Sequence, residues 1–86
     1  MSLEVVIYGS AGCHWCKVAK DFFDIRNITY KYKDVTDPLN LKEMLEINGG
    51  QKAIPTIVIG DHFTICANGK KLEAMLKAAK GLGAAD

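Results

Sequence analysis

Apolar and polar positions change their period several times along this chain, and each change marks an element. Residues 3–8 (LEVVIY) are mostly aliphatic or aromatic and end at Gly9-Ser10. So continuous an apolar run predicts a strand buried on both faces. Over residues 14–26 the period lengthens. Val18, Ala19, Phe22 and then Ile25 or Arg26 share one helical face, which Phe23 widens, while Lys17, Lys20, Asp21 and Asp24 take the opposite side. Residues 28–33 (ITYKYK) alternate bulky and polar side chains and read as a half-buried strand. Asp37-Pro38 then supplies an N-cap and a first helical residue. Leu41, Met44, Leu45 and Asn48 carry the helical stripe, and Asn48-Gly49-Gly50 ends it.

Ile57-Val58-Ile59 is a third strand. Gly60-Asp61 turns the chain, and residues 63–66 (FTIC) pair back as a hairpin strand. Asn68-Gly69 opens a last helix with Leu72, Met75, Leu76 and Ala79 on one face. Gly81 is its expected stop, and residues 81–86 its frayed tail. The order is βαβαββα. Two βα units imply right-handed crossovers with parallel pairings, and the closing hairpin adds antiparallel strands. The expected architecture is a single α/β domain over residues 1–86, a mixed four-stranded sheet in three layers with helices on both faces.

Composition narrows the function more than the fold. Apolar residues make up 49% and charged residues 24%, close to globular averages, which excludes disorder as a starting point. Eleven basic residues against ten acidic ones leave a formal charge of +1, too small an excess for a nucleic-acid binder. No apolar run approaches the roughly 20 residues of a membrane helix. Residues 1–4 lack the basic and apolar regions of a secretory signal. Three cysteines, an odd number, argue against a disulfide scaffold and for a reducing, cytoplasmic setting. A monomer without nucleic-acid or membrane partners is the expectation.

Two of these cysteines stand as Cys13-His14-Trp15-Cys16, at a predicted strand-to-helix junction. At positions i and i+3 of a helix start, two sulfurs can reach bonding distance. Free backbone N–H groups and the positive end of the helix dipole stabilise a thiolate there, and the thiolate is the attacking species in disulfide exchange. Cys13, on the turn, is the expected nucleophile. Cys16, one turn inside, is the expected resolving thiol. A protonated His14 would favour the thiolate, and Trp15 offers an apolar plane to a disulfide substrate. The same pair could instead belong to a zinc site completed by His62 and Cys66, or lie inert in the core. Strand, glycine turn, cysteine pair and amphipathic helix in succession favour redox chemistry, with no metal and no tightly bound cofactor.

The segment Ala53-Ile54-Pro55-Thr56 adds to this. Pro55 opens a buried strand without a donor for its ladder. A cis Ile54–Pro55 bond would kink the chain and leave the Ile54 N–H and C=O for a peptide-like ligand; a trans turn proline is the alternative. Cys66 reads as a core cysteine near the end of the hairpin strand, or as a secondary thiol beside the last helix.

In order and spacing, four segments resemble the glutaredoxin branch of the thioredoxin superfamily. They are Val5-Val6-Ile7-Tyr8, Cys13-His14-Trp15-Cys16, Asn48-Gly49-Gly50-Gln51-Lys52 and Ala53-Ile54-Pro55-Thr56-Ile57-Val58-Ile59, so the resemblance covers residues 3–80. It implies a thioredoxin-like fold with a cis Pro55 facing the cysteine pair. It implies a thiol–disulfide oxidoreductase that reduces protein disulfides or mixed disulfides with small thiols. It further implies that Trp15 flanks bound glutathione and that the Ile54 backbone pairs with the cysteine unit of the tripeptide. The electron donor would be glutathione, another small thiol or a thioredoxin reductase.

Two positions depart from the glutathione-binding pattern of that family. Ser10 stands where many glutaredoxins carry a lysine. Cys66-Ala67-Asn68-Gly69-Lys70-Lys71 replaces a Gly-Gly-x-Asp turn, which puts Lys70 where an acid would hold the ligand's ammonium. A helix start with Lys70 and Lys71 favours carboxylates instead. The run from Asn48-Gly49-Gly50 to Ile54-Pro55-Thr56 and the absent Gly-Gly-Asp turn also resemble mycoredoxins, which serve a different small thiol. Some glutaredoxins bridge an iron–sulfur cluster between two chains through the residue at the Cys13 position, and metal carriage is the competing class of function.

Overall fold

A computed structural model describes residues 4–60 and 62–84, with side chains up to Ala78. The elements follow the expected order: β1 (Val5–Gly9), α1 (His14–Ile25), β2 (Lys31–Asp34), α2 (Pro38–Asn48), β3 (Thr56–Ile59), β4 (His62–Ile65) and α3 (Gly69–Ala84). The four strands form one sheet in the order β2-β1-β3-β4. The sheet is mixed, as the sequence predicts, but only one pairing is parallel. β1 runs parallel to β2, and antiparallel to β3, which pairs antiparallel with β4. The second βα unit is therefore not a parallel crossover. Asp34 at the end of β2 lies opposite Gly9, and Thr56 at the start of β3 lies opposite Tyr8. The segment through α2 thus returns the chain to the end of the sheet it left, and β3 must run back the other way.

That register has a consequence for the site. The C-terminal ends of β1, β2 and β4 and the N-terminal end of β3 all meet at one end of the sheet. The loop carrying Cys13, the residue Pro55 and the residue Cys66 each continue from one of these ends.

Alternation along β1 and β3 divides the two faces. Val5, Ile7, Ile57 and Ile59 join Ala19, Phe22 and Phe23 of α1 and Leu72 and Leu76 of α3 in one buried cluster. Phe22 and Phe23 meet edge to face, with ring centroids 5.1 Å apart. Tyr8 points to the opposite face and is buried, as expected. There its hydroxyl donates to Glu43 Oε1 of α2 at 2.8 Å, and the same oxygen takes Lys33 Nζ at 2.6 Å. Burial and this carboxylate hold the Tyr8 hydroxyl well above its ordinary pKa, so it stays a neutral donor.

Several expected boundaries shift for identifiable reasons. β2 begins at Lys31, three residues late, because the end of α1 claims the residues before it. Asn27 adopts a left-handed φ of 57°, and the Ile28 N–H turns back to the Phe23 carbonyl at 2.9 Å. Ile25 does not join the buried face; it is 77% exposed. It follows Phe23 by two residues, about 200° around the helix, and so points away from the core. Arg26 is exposed as well, and lays its guanidinium 3.7 Å from the Phe22 ring centroid. Gly81 does not stop α3, which continues to Ala84. A lone glycine costs a helix interior only about 1 kcal/mol relative to alanine. The expected place of the Ala79 side chain, and residues 85–86 of the expected tail, lie outside the described residues. Among the described residues no helix is long and apolar enough to cross a membrane.

Candidate active site

Gly9 ends β1, and four residues later Cys13 caps α1. Gly12, at a φ of 82°, makes the left-handed turn between them. Cys13 has extended backbone and accepts a hydrogen bond through its own sulfur, from the Cys16 backbone N–H at 3.3 Å. A cysteine thus takes the place that serine or aspartate usually holds at a helix N-cap. The two thiols are exposed unequally: Cys13 is half-buried, and Cys16 is 2% exposed. Both stand as free thiols.

Cys16 is held in place by the end of β1. A methyl group built on Gly9 would overlap Cys16 Sγ and lie 3.3 Å from the Tyr32 hydroxyl. Gly9 is not in a left-handed conformation, so the requirement for glycine here is purely steric. Burial pushes the Cys16 thiol up to about 12, and its hydrogen bond with Cys13 adds to the effect. A backbone hydrogen bond at Ser10 and the Lys20 charge act in the opposite direction. Gly9→Ala is expected to cost about 1–3 kcal/mol, the usual penalty of overpacking. Thermal unfolding would show it as a drop of several degrees, and an unchanged midpoint would mean that Cys16 moves aside freely.

His14 and Trp15 lie exposed between the cysteines, their rings edge to face at 5.3 Å. Trp15 keeps 43% of its surface open to solvent, an unusual exposure for so large an apolar side chain. The Ile54–Pro55 peptide is cis, and Pro55 is buried immediately before Thr56. A polar network supports the segment leading to it. Asn48, buried at the end of α2, donates through Nδ2 to the Gln51 carbonyl at 2.8 Å and to Thr56 Oγ1 at 3.1 Å. Its Oδ1 accepts the Gln51 N–H at 2.9 Å. Thr56 Oγ1 in turn donates to the Ala53 carbonyl at 3.0 Å.

Cys66 departs from its expected place in the core. It is exposed, at a left-handed φ of 54°, and its thiol donates to the Ile54 carbonyl at 3.2 Å. The turn between β4 and α3 needs a residue there that directs the chain off the sheet. The neighbouring Ala67 takes the buried position instead. The Ile54 carbonyl is accordingly already engaged by a neighbour within the chain. Lys70 and Lys71 sit exposed in the first turn of α3, where Asn68 Oδ1 takes the Lys71 N–H at 2.9 Å.

The four-ligand zinc arrangement is not formed. His62 opens β4 opposite Ile59, whereas Ile65, next to Cys66, lies opposite Thr56 at the other end of the strand pair. Three residues of extended chain separate them, about 10 Å. Among the described residues no three His, Cys, Asp or Glu side chains are placed to hold a metal ion.

Two neighbours of Cys16 are not expected from the sequence. Lys20 is half-buried, not on the outer side of α1, and its Nζ lies 4.2 Å from the Tyr32 ring centroid. The i, i+4 spacing from Cys16 to Lys20 was the available signal. For Tyr32 there was none, because its approach depends on the pairing of β1 with β2.

The mixed open sheet, with the cysteine pair at the start of α1 and the proline at the start of β3, is a thioredoxin-like fold. The glutaredoxin family model matches residues 5–64, and the chain belongs to the glutaredoxin family. It is 23% identical over 73 residues to a glutaredoxin-like 8.6 kDa protein of the rubredoxin operon of Clostridium pasteurianum, covering 85% of this chain and 97% of that one. It is 22% identical over 58 residues to an N-acetyl-S-hydroxy-L-cysteine reductase of Bacillus subtilis, covering 67% of this chain and 62% of that relative, less than two thirds of its length. A solved glutaredoxin from Archaeoglobus fulgidus matches in fold, with a TM-score of 0.73 at 22% identity over 85% of each chain.

Proposed function

We propose that this chain reduces disulfides through a two-step exchange between Cys13 and Cys16. The unequal exposure of the two sulfurs at the head of α1 carries this reading. Cys13, half-buried and aimed at by a helix N–H, meets the substrate; Cys16 is held behind it against Gly9. Cys13 attacks one sulfur of the substrate disulfide as the thiolate, and the other sulfur leaves as a thiolate that takes up a proton. Cys16 then displaces the captured sulfur, leaving a Cys13–Cys16 disulfide and a second free thiol. Both electrons reside on sulfur throughout, so no tightly bound cofactor is required.

The substrates in this reading are protein disulfides and mixed disulfides of proteins with small thiols. Glutathione, another small thiol or a thioredoxin reductase restores the dithiol, in a reducing, cytoplasmic setting. His14 and Trp15 flank the captured sulfur, and the segment at Ile54 and Pro55 lines the other side. The reaction named for the Bacillus subtilis relative extends the first step naturally: an S-hydroxy sulfur attacked by Cys13 would release water in place of a thiol.

The deciding experiment couples the protein to NADPH, with glutathione and its reductase in one arm and thioredoxin reductase in the other. Insulin and a small mixed disulfide serve as substrates. NADPH oxidation that needs both the protein and the disulfide is the expected result, and no turnover in either arm refutes the reading. Lys70 adds a test of thiol choice. Its charge opposes the ammonium of a γ-glutamyl group, so Lys70→Asp is expected to raise the glutathione-dependent rate about fivefold, as about 1 kcal/mol of exposed charge pairing allows. The gain should shrink at high salt. An unchanged rate would make the first turn of α3 indifferent to the ligand.

A further inference from the structure

A groove of about 660 Å³ runs along α1, from Ser10 and Cys13 past Cys16 to Lys20 and Asp24. Cys16 lines it, and Pro55 does not. We infer that Lys20 is the positioning residue that readies Cys16 for the resolving step, by holding a positive charge beside the sulfur as it becomes a thiolate. This inference rests on the two-step exchange proposed above.

The placement follows from the helix and the sheet together. Lys20 follows Cys16 by four residues and so stands one turn further along the same side of α1. Its Nζ rests 4.2 Å from the Tyr32 ring centroid, a cation–π distance that fixes the side chain. Tyr32 pairs with Ile7 across the parallel strands, and its hydroxyl converges with Cys16 Sγ on Gly9. Among the described residues the ion pairs are Lys31–Glu4 and Lys33–Glu43, and Lys20 is in neither. Its charge is therefore available to the sulfur.

The other groups near Cys16 do not supply that charge. On α1, His14 and Lys17 also line the groove, but both are exposed to solvent, and Cys13's own negative charge opposes a second thiolate. From β2 comes Tyr32, kept protonated chiefly by burial, with the Asp34 carboxylate acting on its hydroxyl in the same sense. From β1 come only Gly9 and the backbone at Ser10. Asp21 and Asp24, further along the groove, are negative, and Asp24 accepts from the Tyr30 hydroxyl at 3.4 Å.

With Cys13 carrying a substrate sulfur, the Cys16 thiol releases its proton to water in the groove. Cys16 Sγ attacks Cys13 Sγ, and the Cys13–Cys16 bond forms as the bond to the substrate sulfur breaks. The substrate leaves as a thiolate with that electron pair and takes a proton from solvent. Lys20 stabilises the charge on Cys16 between the first event and the second.

Stopped-flow reaction with the aromatic disulfide 5,5′-dithiobis(2-nitrobenzoate) separates the two sulfurs, with Cys66→Ser in every variant to remove the exposed third thiol. Attack by Cys13 releases one coloured thiolate in a phase proportional to reagent concentration. Displacement by Cys16 releases a second in a phase independent of it. Lys20→Met keeps the aliphatic stem on Tyr32 and removes the charge. It is expected to leave the first phase unchanged, to slow the second about tenfold at neutral pH, and to shift its pH profile upward by about one unit. Lys20→Arg keeps the charge and should stay within about threefold of the parent. A second phase unaltered in rate and pH profile by Lys20→Met overturns the inference, as does equal slowing of both phases. A parent protein that lacks the second phase altogether overturns the two-step exchange itself.

Discussion

Cys13→Ser is expected to abolish reduction of both insulin and small mixed disulfides, a loss on the order of a thousandfold or more. A serine hydroxyl at the helix cap can still accept the Cys16 N–H, so the variant should fold. It cannot form the sulfur–sulfur bond on which each turnover depends. Cys16→Ser should behave differently. The substitution is nearly isosteric in a site packed against Gly9, and Cys13 still attacks. A mixed disulfide with a small thiol can then be cleared by a second molecule of that thiol, so this activity survives while insulin reduction falls away. Mass spectrometry of the Cys16→Ser protein should find the trapped adduct on Cys13. Full insulin reduction by Cys13→Ser would refute the assignment of roles.

Asn48→Ala carries the largest expected cost in stability. Its amide makes three side-chain hydrogen bonds in a buried setting, two to Gln51 and one to Thr56. At about 1 kcal/mol each the loss is about 3 kcal/mol. For a domain of this size that is a fall in melting temperature of roughly 12–24 °C. Asn48→Asp would keep the acceptor for the Gln51 N–H, lose both donors and bury a charge. It should be at least as damaging at neutral pH and should recover part of the loss in acid, where the carboxyl is protonated. A melting temperature within a few degrees of the parent for Asn48→Ala would show that residues 49–55 do not depend on this network.

The helices and strands were legible because their signals are local. Asp37 caps α2 through Oδ1 to the Leu39 N–H, as its pairing with Pro38 predicts, and Gly49 turns left-handed at the other end. Cys13 and Cys16 could be placed at the head of α1 from the glycine turn before them. What was not legible depends on contacts between elements. The direction of β3 follows from where α2 delivers the chain, and no residue in α2 announces that. For Cys66 the sequence points into the core, because an apolar strand pattern ends beside it. The left-handed turn that exposes it is set by the departure of α3, and glycine or asparagine would have been the expected signal. Helical periodicity puts Lys20 on the polar side because it treats lysine as solvated, whereas its long stem here reaches Tyr32 on a neighbouring strand.

The order of the strands also bears on solubility. β2 and β4 are the sheet's two open edges, each only four residues long. β2 carries Lys31 and Lys33, and β4 is cut off by the left-handed Cys66 immediately after Ile65. Short edges and edge lysines are the means by which sheet proteins deny a template to passing strands of other chains. A partly unfolded neighbour thus finds little backbone to extend on either side. Protection against edge-to-edge aggregation is built into the same four strands that bring the cysteine pair and Pro55 to one end of the molecule.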